Sequence, residues 1–252
     1  MKPDQQNSTS NTLGREMEIT KPLKRALSGL WSRAAQSLMP TNWKEANELH
    51  YWRRRKNTEG TLSNAHYKDF YTTHFGLAES FYENKMILDI GCGPRGSLEW
   101  ADMASRRIGL DPLAAEYRKL GADSHKMEYI SSPAETIPLE DGTCDVVFSF
   151  NSLDHVESVE RVAAEIKRVV RVGGLFLLLV EINHPPTSCE PHELNPGELL
   201  RMLEPEFICG ELRVYEPVAP GIYESLQANV KRDDPFSSEK GFMAASFSRV
   251  AC

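Results

Sequence analysis

Cysteine is sparse and scattered. The 252 residues include five, Cys92, Cys144, Cys189, Cys209 and Cys252, an odd set without a C-x-x-C pair. Such a set argues against a disulfide framework and for a reducing, cytoplasmic setting. Long apolar runs are lacking as well. The longest candidate, GLFLLLV at 174–180, falls far short of the roughly 20 residues that span a bilayer. The first 20 residues are polar, so a secretory signal is not expected. Positive charge is in deficit, with 29 Lys and Arg against 36 Asp and Glu for a net −7. That balance disfavours a nucleic-acid partner, whose phosphates demand a basic surface.

What is there is ordinary globular composition, 40% hydrophobic and 26% charged, with length for one α/β domain plus extensions. The charge is uneven. Residues 1–60 hold 11 Lys/Arg against 6 Asp/Glu, so a basic leader precedes an acidic remainder. Residues 1–40 read as a polar and basic N-terminal extension whose first 20 residues lack periodicity and are expected to be disordered. From Pro22 onward Leu23, Ala26, Leu27, Leu30, Trp31 and Leu38 recur near one helical face. That face either packs on the domain or a partner, or rests on an anionic membrane surface as a peripheral contact. Residues 41–85 read as a helical cap, with Ser63 as a helix N-cap and Tyr67, Phe70, Tyr71 and His74 on one stripe. Such a stripe is ordinarily core, and Tyr71 and His74 are its candidates for the substrate side.

The chain is organised around Met86–Gly96, MILDIGCGPRG. A short apolar strand leads into Gly91, Gly93 and Gly96 in G-x-G-x-x-G spacing, followed by a helix-compatible run from Ser97. Glycines at such a turn let the backbone approach a ligand closely. Asp89, two positions before the first glycine, would be unfavourable beside a pyrophosphate and suits a ligand that brings a cation to the turn. RRIGLD (106–111) reads as the next strand, and Asp111 stands 20 residues beyond Gly91. At that spacing an acidic side chain accepts hydrogen bonds from ribose hydroxyls, although an Asp before a helix also serves as an N-cap.

The stretch resembles motif I of the class I S-adenosylmethionine-dependent methyltransferases, type 11-like, where LDIGCGxG is a familiar spelling. AETIPLEDGTCDVV (134–147) and the helix, Gly-Gly and apolar strand over 158–182 resemble later segments of the same family. The resemblance implies an α/β, Rossmann-like seven-stranded sheet with an N-terminal helical cap. It makes residues 86–252 the methyltransferase domain and S-adenosyl-L-methionine its cofactor. It assigns cofactor contacts to Asp89, Gly91, Cys92, Gly93, Asp111, Pro112, Ala134, Glu135 and Asn151. Pro133 stands where the family often has an Asp, which leaves adenine recognition to the backbone around Ala134 and to Glu135.

The implied activity is methyl transfer to a small-molecule acceptor. No N/D-P-P-Y follows the fourth strand, where FNSLDH stands instead, and oxygen is the preferred acceptor atom. The neighbours Asp154 and His155 are either structural or a pair that deprotonates an acceptor hydroxyl. In the loop NHPPTSCEPHEL (183–194), His184 is the leading candidate for acceptor contact or proton removal. This loop carries ligand residue types, but its spacing matches no common zinc pattern, so no metal is expected. Two rivals stand beside this reading. An NAD(P)-dependent oxidoreductase is disfavoured by Asp89 and by the lack of a Tyr-x-x-x-Lys pair, and a non-catalytic partner protein would keep the cofactor site without turnover. The remaining elements are expected as strands at 127–131, 145–150 and 174–182, a helix from Ser158 that stops at Gly173-Gly174, and a helix opened by Asn195-Pro196. Two last strands at 207–217 and 241–250 flank a variable insertion.

Overall fold

The computed structural model describes residues 43–64 and 67–251; the 1–40 extension, its stretch from Pro22, and His66 lie outside the described residues. Seven strands form one sheet: β1 (Met86–Ile90), β2 (Arg106–Leu110), β3 (Glu128–Ile130), β4 (Cys144–Phe150), β5 (Val170–Ile182), β6 (Phe207–Tyr215) and β7 (Gly241–Arg249). Their order is β3-β2-β1-β4-β5-β7-β6. The first five pair in parallel, and β7 lies antiparallel between β5 and β6. Six α-helices accompany them among the described residues: α1 (Trp43–Glu59), α2 (Lys68–Tyr71), α3 (Ala114–Lys119), α4 (Val159–Val169), α5 (Pro196–Leu203) and α6 (Ile222–Ala228).

Both faces of the sheet are covered, which is why β5 can be apolar on every residue from Phe176 to Val180. On one face Leu88, Ile90, Val147 and Leu178 meet α4 through Val162 and Ile166 and α5 through Leu199 and Leu203. On the other, Ile87, Phe148, Leu177 and Leu179 meet Phe70, Tyr71, Phe75 and Tyr82, together with Ile222 and Leu226 of α6. Local signals set the helix starts. Ser158 caps α4 by accepting from the Arg161 amide at 3.3 Å, and Asn195 caps α5 by accepting from the Glu198 amide at 3.0 Å, with Pro196 in the first turn.

Four expectations change. The run from Ser97 makes no helix: Glu99, Ala101 and Ala104 donate to Gly96, Leu98 and Ala101, a chain of tight turns. These turns bury Leu98 and Ala101 against the sheet within the few residues before β2. The helix that follows starts at Lys68 with Tyr67, not Ser63, at its N-cap position; the Ser63 carbonyl accepts from Arg95, and the aromatic stripe breaks into the single turn α2 and a 3-10 turn at Thr73–Phe75. α4 ends at Val169 and β5 begins at Val170, before the glycine pair. There the β-branched Val170 and Val172 favour extension, and Arg171 ties the segment to Asp145 at 2.6 Å. Finally, the 224–240 insertion is not variable throughout: α6 runs into its first residues, and Ile222 and Leu226 of that helix are part of the core.

Candidate functional site

The parallel strands end together at one edge of the sheet, and ligands of open α/β sheets bind beyond that edge. β1 delivers Asp89 there. Its carboxylate is 2% exposed, and the Tyr71 hydroxyl donates to Oδ2 at 3.2 Å. Burial pushes its pKa up to about 7, against the pull of the Ser97 and Tyr71 hydroxyls. The chain then turns through Gly91 (φ 70°) and Gly93 (φ 58°). Side chains other than glycine disfavour these left-handed dihedrals, and a Cβ on Gly91 would overlap the Ser152 side chain. β2 delivers Asp111, which is 4% exposed. It accepts from the Gly93 amide at 3.2 Å and the Leu113 amide at 2.9 Å, so one carboxylate spans the glycine turn and the start of the next segment. Burial, then the Glu48 charge, raise its pKa to about 7.

Asp89 and Asp111 are thus buried acids. No Lys or Arg ion-pairs with either among the described residues. A buried carboxylate without a counter-charge is costly, and Asp89 invites a cationic group from a ligand while Asp111 offers acceptors beside an open glycine backbone. The other expected cofactor contacts are more mixed. Cys92 is buried, with its sulfur against Gly109, and burial pushes its thiol well up. Ala134 lies in the core. Pro112 is exposed, and its carbonyl accepts from Ser131. Glu135 is engaged at the start of α4, where Oε1 accepts the Glu157 and Ser158 amides at 2.7 and 3.1 Å. Asn151 is exposed just past β4 in a left-handed conformation (φ 53°).

Three contributors are not visible in the sequence pattern, and all come from α1. Trp52 lies 3.6 Å from where a Gly93 Cβ would be. Glu48 accepts from the Tyr117 hydroxyl at 2.8 Å and from Trp52 Nε1 at 3.4 Å. Lys44 donates to the His155 carbonyl. α1 buries no residue fully, so these polar ties hold it over the edge. Arg95 adds another: it pairs with Glu59 at 2.8 Å and lies over the Trp52 ring at 5.3 Å. Its role is therefore to fasten α1 to the glycine turn.

On the far side of Asp89 the wall is aromatic. Tyr71 meets Phe150 at 4.5 Å and Phe148 at 5.0 Å between centroids, and Phe75 stacks on Phe150 at 5.9 Å. Tyr71 therefore touches the acid, whereas His74 lies farther along this wall, 5.6 Å from the Tyr215 ring, with Nε2 buried and unbonded. Burial, then the charge of Arg213, lower its pKa to about 4.

The three expected catalytic residues converge. Asp154 is 1% exposed; its Oδ2 faces His184 Nε2 at 3.8 Å and its Oδ1 faces His155 Nε2 at 4.0 Å. His184 Nδ1 is 3.0 Å from the Pro185 carbonyl, which fixes Nδ1 as the protonated nitrogen. The Asp154 side chain, aided by that carbonyl against burial, raises the His184 pKa to about 8. The 183–194 loop reaches this cluster twice more: Glu190 Oε1 is 3.9 Å from His155 Nε2, and His192 Nε2 is 2.8 Å from the Val156 carbonyl.

Residues 88–178 match the model of a family described as a methyltransferase domain. Residues 88–178 are therefore a methyltransferase domain of the class I, S-adenosylmethionine-dependent, type 11-like kind. Among relatives of this methyltransferase, the sterol 4-C-methyltransferase strm-1 of Caenorhabditis elegans is 31% identical over 54% of this chain and 42% of its own length. The malonyl-[acyl-carrier protein] O-methyltransferase of Enterobacter lignolyticus is 33% identical over 36% of each. The matches span less than half the length of these curated relatives. In fold, a putative S-adenosylmethionine-dependent methyltransferase from Listeria monocytogenes superposes with a TM-score of 0.53 at 15% identity, over 68% of this chain and 93% of that one. The geranyl diphosphate C-methyltransferase of Streptomyces coelicolor superposes with a TM-score of 0.50 at 18% identity, over 71% and 73%. The family's cofactor is S-adenosylmethionine, and the residues here fit it: an unpaired buried acid for its ammonium, a second acid for its ribose, and a glycine turn between them. No helix among the described residues is long and apolar enough to cross a membrane.

Proposed function

We propose that this chain transfers a methyl group from S-adenosylmethionine to a small, largely apolar molecule, with oxygen as the acceptor atom and residues 86–252 as the catalytic unit. The observation that carries this reading is the pair of buried acids flanking the glycine turn, Asp89 and Asp111, neither with a basic partner among the described residues. When bound, S-adenosylmethionine supplies a methyl group activated by a sulfonium. Asp89, held by Tyr71, binds the amino group. Asp111 takes the ribose hydroxyls, and Trp52 and Glu48 close over them from α1. The wall of Tyr71, Phe75, Phe150 and His74 receives the acceptor. Asp154, His155 and His184 face it across the edge, with His184 Nε2 taking the acceptor's proton. Alignment of acceptor and methyl group is the chief contribution expected of such a site.

The apolar wall agrees with the sterol and isoprenoid acceptors in the names of two relatives, which methylate carbon; the malonyl-carrier relative methylates oxygen. Transfer of labelled methyl from S-adenosylmethionine into fractionated metabolite pools tests the reading. Label in one low-molecular-weight, apolar fraction is expected, released by mild hydrolysis if it is an ester and retained by hydriodic-acid-sensitive ethers otherwise. Label found only on protein or RNA, or on carbon, would overturn the acceptor assignment.

A further inference from the structure

The 183–194 loop offers no metal pattern by its own spacing, but the fold brings it to a second segment. The 3-10 turn Leu153–His155 after β4 presents Asp154 and His155, and the loop after β5 brings Glu190 to them. One ligand atom from each of the three lies within 4.8 Å of the others. His155 Nε2 is 4.0 Å from Asp154 Oδ1 and 3.9 Å from Glu190 Oε1. Those two separations are too long for hydrogen bonds and shorter than twice a metal–donor bond of about 2.1 Å, and closing the third pair on an ion takes a small shift of the Glu190 side chain.

Two buried atoms mark this spot as incomplete. Asp154 Oδ1 has no hydrogen-bond partner although its side chain is 1% exposed. His184 Nε2, on a side chain 4% exposed, is likewise without one, and it points at Asp154 Oδ2 from 3.8 Å. A buried carboxylate therefore faces an imidazole on each of its oxygens and bonds to neither. Other nearby groups are already engaged: Lys44 by the His155 carbonyl, and His192 by the Val156 carbonyl. Glu190 is pre-positioned, because Oε2 accepts from the Thr187 hydroxyl at 3.2 Å and its amide donates to that hydroxyl at 2.9 Å, leaving Oε1 turned to His155.

We infer that Asp154, His155 and Glu190 bind one divalent first-row transition-metal cation. Two carboxylates and an imidazole are a donor set suited to Mn2+, Fe2+ or Zn2+. Three protein donors leave positions open to water or to an oxygen-bearing ligand.

Tag-free full-length protein titrated with Co2+ tests it through the visible d–d absorption of the bound ion. The wild type should bind one equivalent, displaced by Zn2+. Glu190→Gln and His155→Ala should each weaken binding by at least about tenfold, while S-adenosylhomocysteine affinity stays within about twofold in the same samples. That second reading certifies the fold and separates this inference from the cofactor assignment. Glu190 lies on a half-exposed loop, so its variant remains informative if Asp154→Asn fails to fold. No saturable absorption with Co2+ in large excess, or unchanged binding in either variant, would overturn the site.

Discussion

Replacing Asp89 by Asn should stabilise the cofactor-free protein while removing its affinity for the cofactor. Asp89 is 2% exposed, lies in β1 beside Phe148, and has two hydroxyls but no basic side chain for company. Burial lifts its pKa from 3.8 to about 7. A rise of about three units is worth about 4 kcal/mol between the ionised and neutral forms. Partial relaxation around the charge leaves about 2–4 kcal/mol to be recovered at pH 8 by a neutral isostere. Asn keeps the shape and still accepts from Tyr71. For a chain of this length 1 kcal/mol moves Tm by roughly 2–4 °C, so Asp89→Asn should melt roughly 4–16 °C higher than wild type when both are free of cofactor. The same change removes the counter-charge for the amino group and should weaken S-adenosylhomocysteine binding by at least about 100-fold. Differential scanning fluorimetry with and without S-adenosylhomocysteine reads both effects in one plate. An apo variant less stable than wild type, with ligand-induced stabilisation intact, would refute the reasoning.

Asp89 and Asp111 also set a pH dependence. Both have folded pKa values raised to about 7 by burial. Between the ordinary carboxylate pKa of about 4 and about 7 the folded state holds more protons than the unfolded one. Apo stability should fall as pH rises through that window and level off above it, while the stabilisation given by S-adenosylhomocysteine should grow; an apo Tm that climbs from pH 5 to 7 would contradict this. Gly91→Ala should be poorly tolerated, because the left-handed turn and the overlap with Ser152 coincide; a loss of about 2 kcal/mol or more in denaturant unfolding is expected, and a neutral result would argue that Ser152 yields. Arg95→Ala cuts the tie between α1 and the glycine turn, so hydrogen exchange of Trp43–Glu59 should accelerate with little change in global unfolding. His184→Ala should lower turnover while leaving cofactor affinity within about threefold; a large loss of affinity would move His184 out of the acceptor side.

Much of the geometry around the glycine turn was legible because its signals are local. Asp89, the glycines and Asp111 fall within one strand–turn–strand unit, so spacing alone carries them, and apolar runs located the strands. The helix expected from Ser97 failed because pattern cannot see the short return to Lys85, whose carbonyl takes the Ser105 amide. Glu48 and Trp52 were missed for a different reason. α1 buries no residue fully and is anchored by contacts spanning up to 111 residues, such as Lys44 to the His155 carbonyl, and no periodicity records them. The acceptor side shows the same limit: Asp154 and His155 were named as neighbours, but the meeting with Glu190 and His184 exists only because β4 and β5 are adjacent strands. Glu135 shows the converse, a family position whose carboxylate is spent on starting α4.

The central claim is that the edge of this sheet was built around an adenosyl ligand carrying a cation. Isothermal titration of the purified full-length chain with S-adenosylhomocysteine, and separately with NADH, tests it most directly. The account predicts one saturable site for S-adenosylhomocysteine, lost in Asp89→Ala, and no heat from NADH. Saturable NADH binding, or S-adenosylhomocysteine affinity that survives the loss of Asp89, would contradict it.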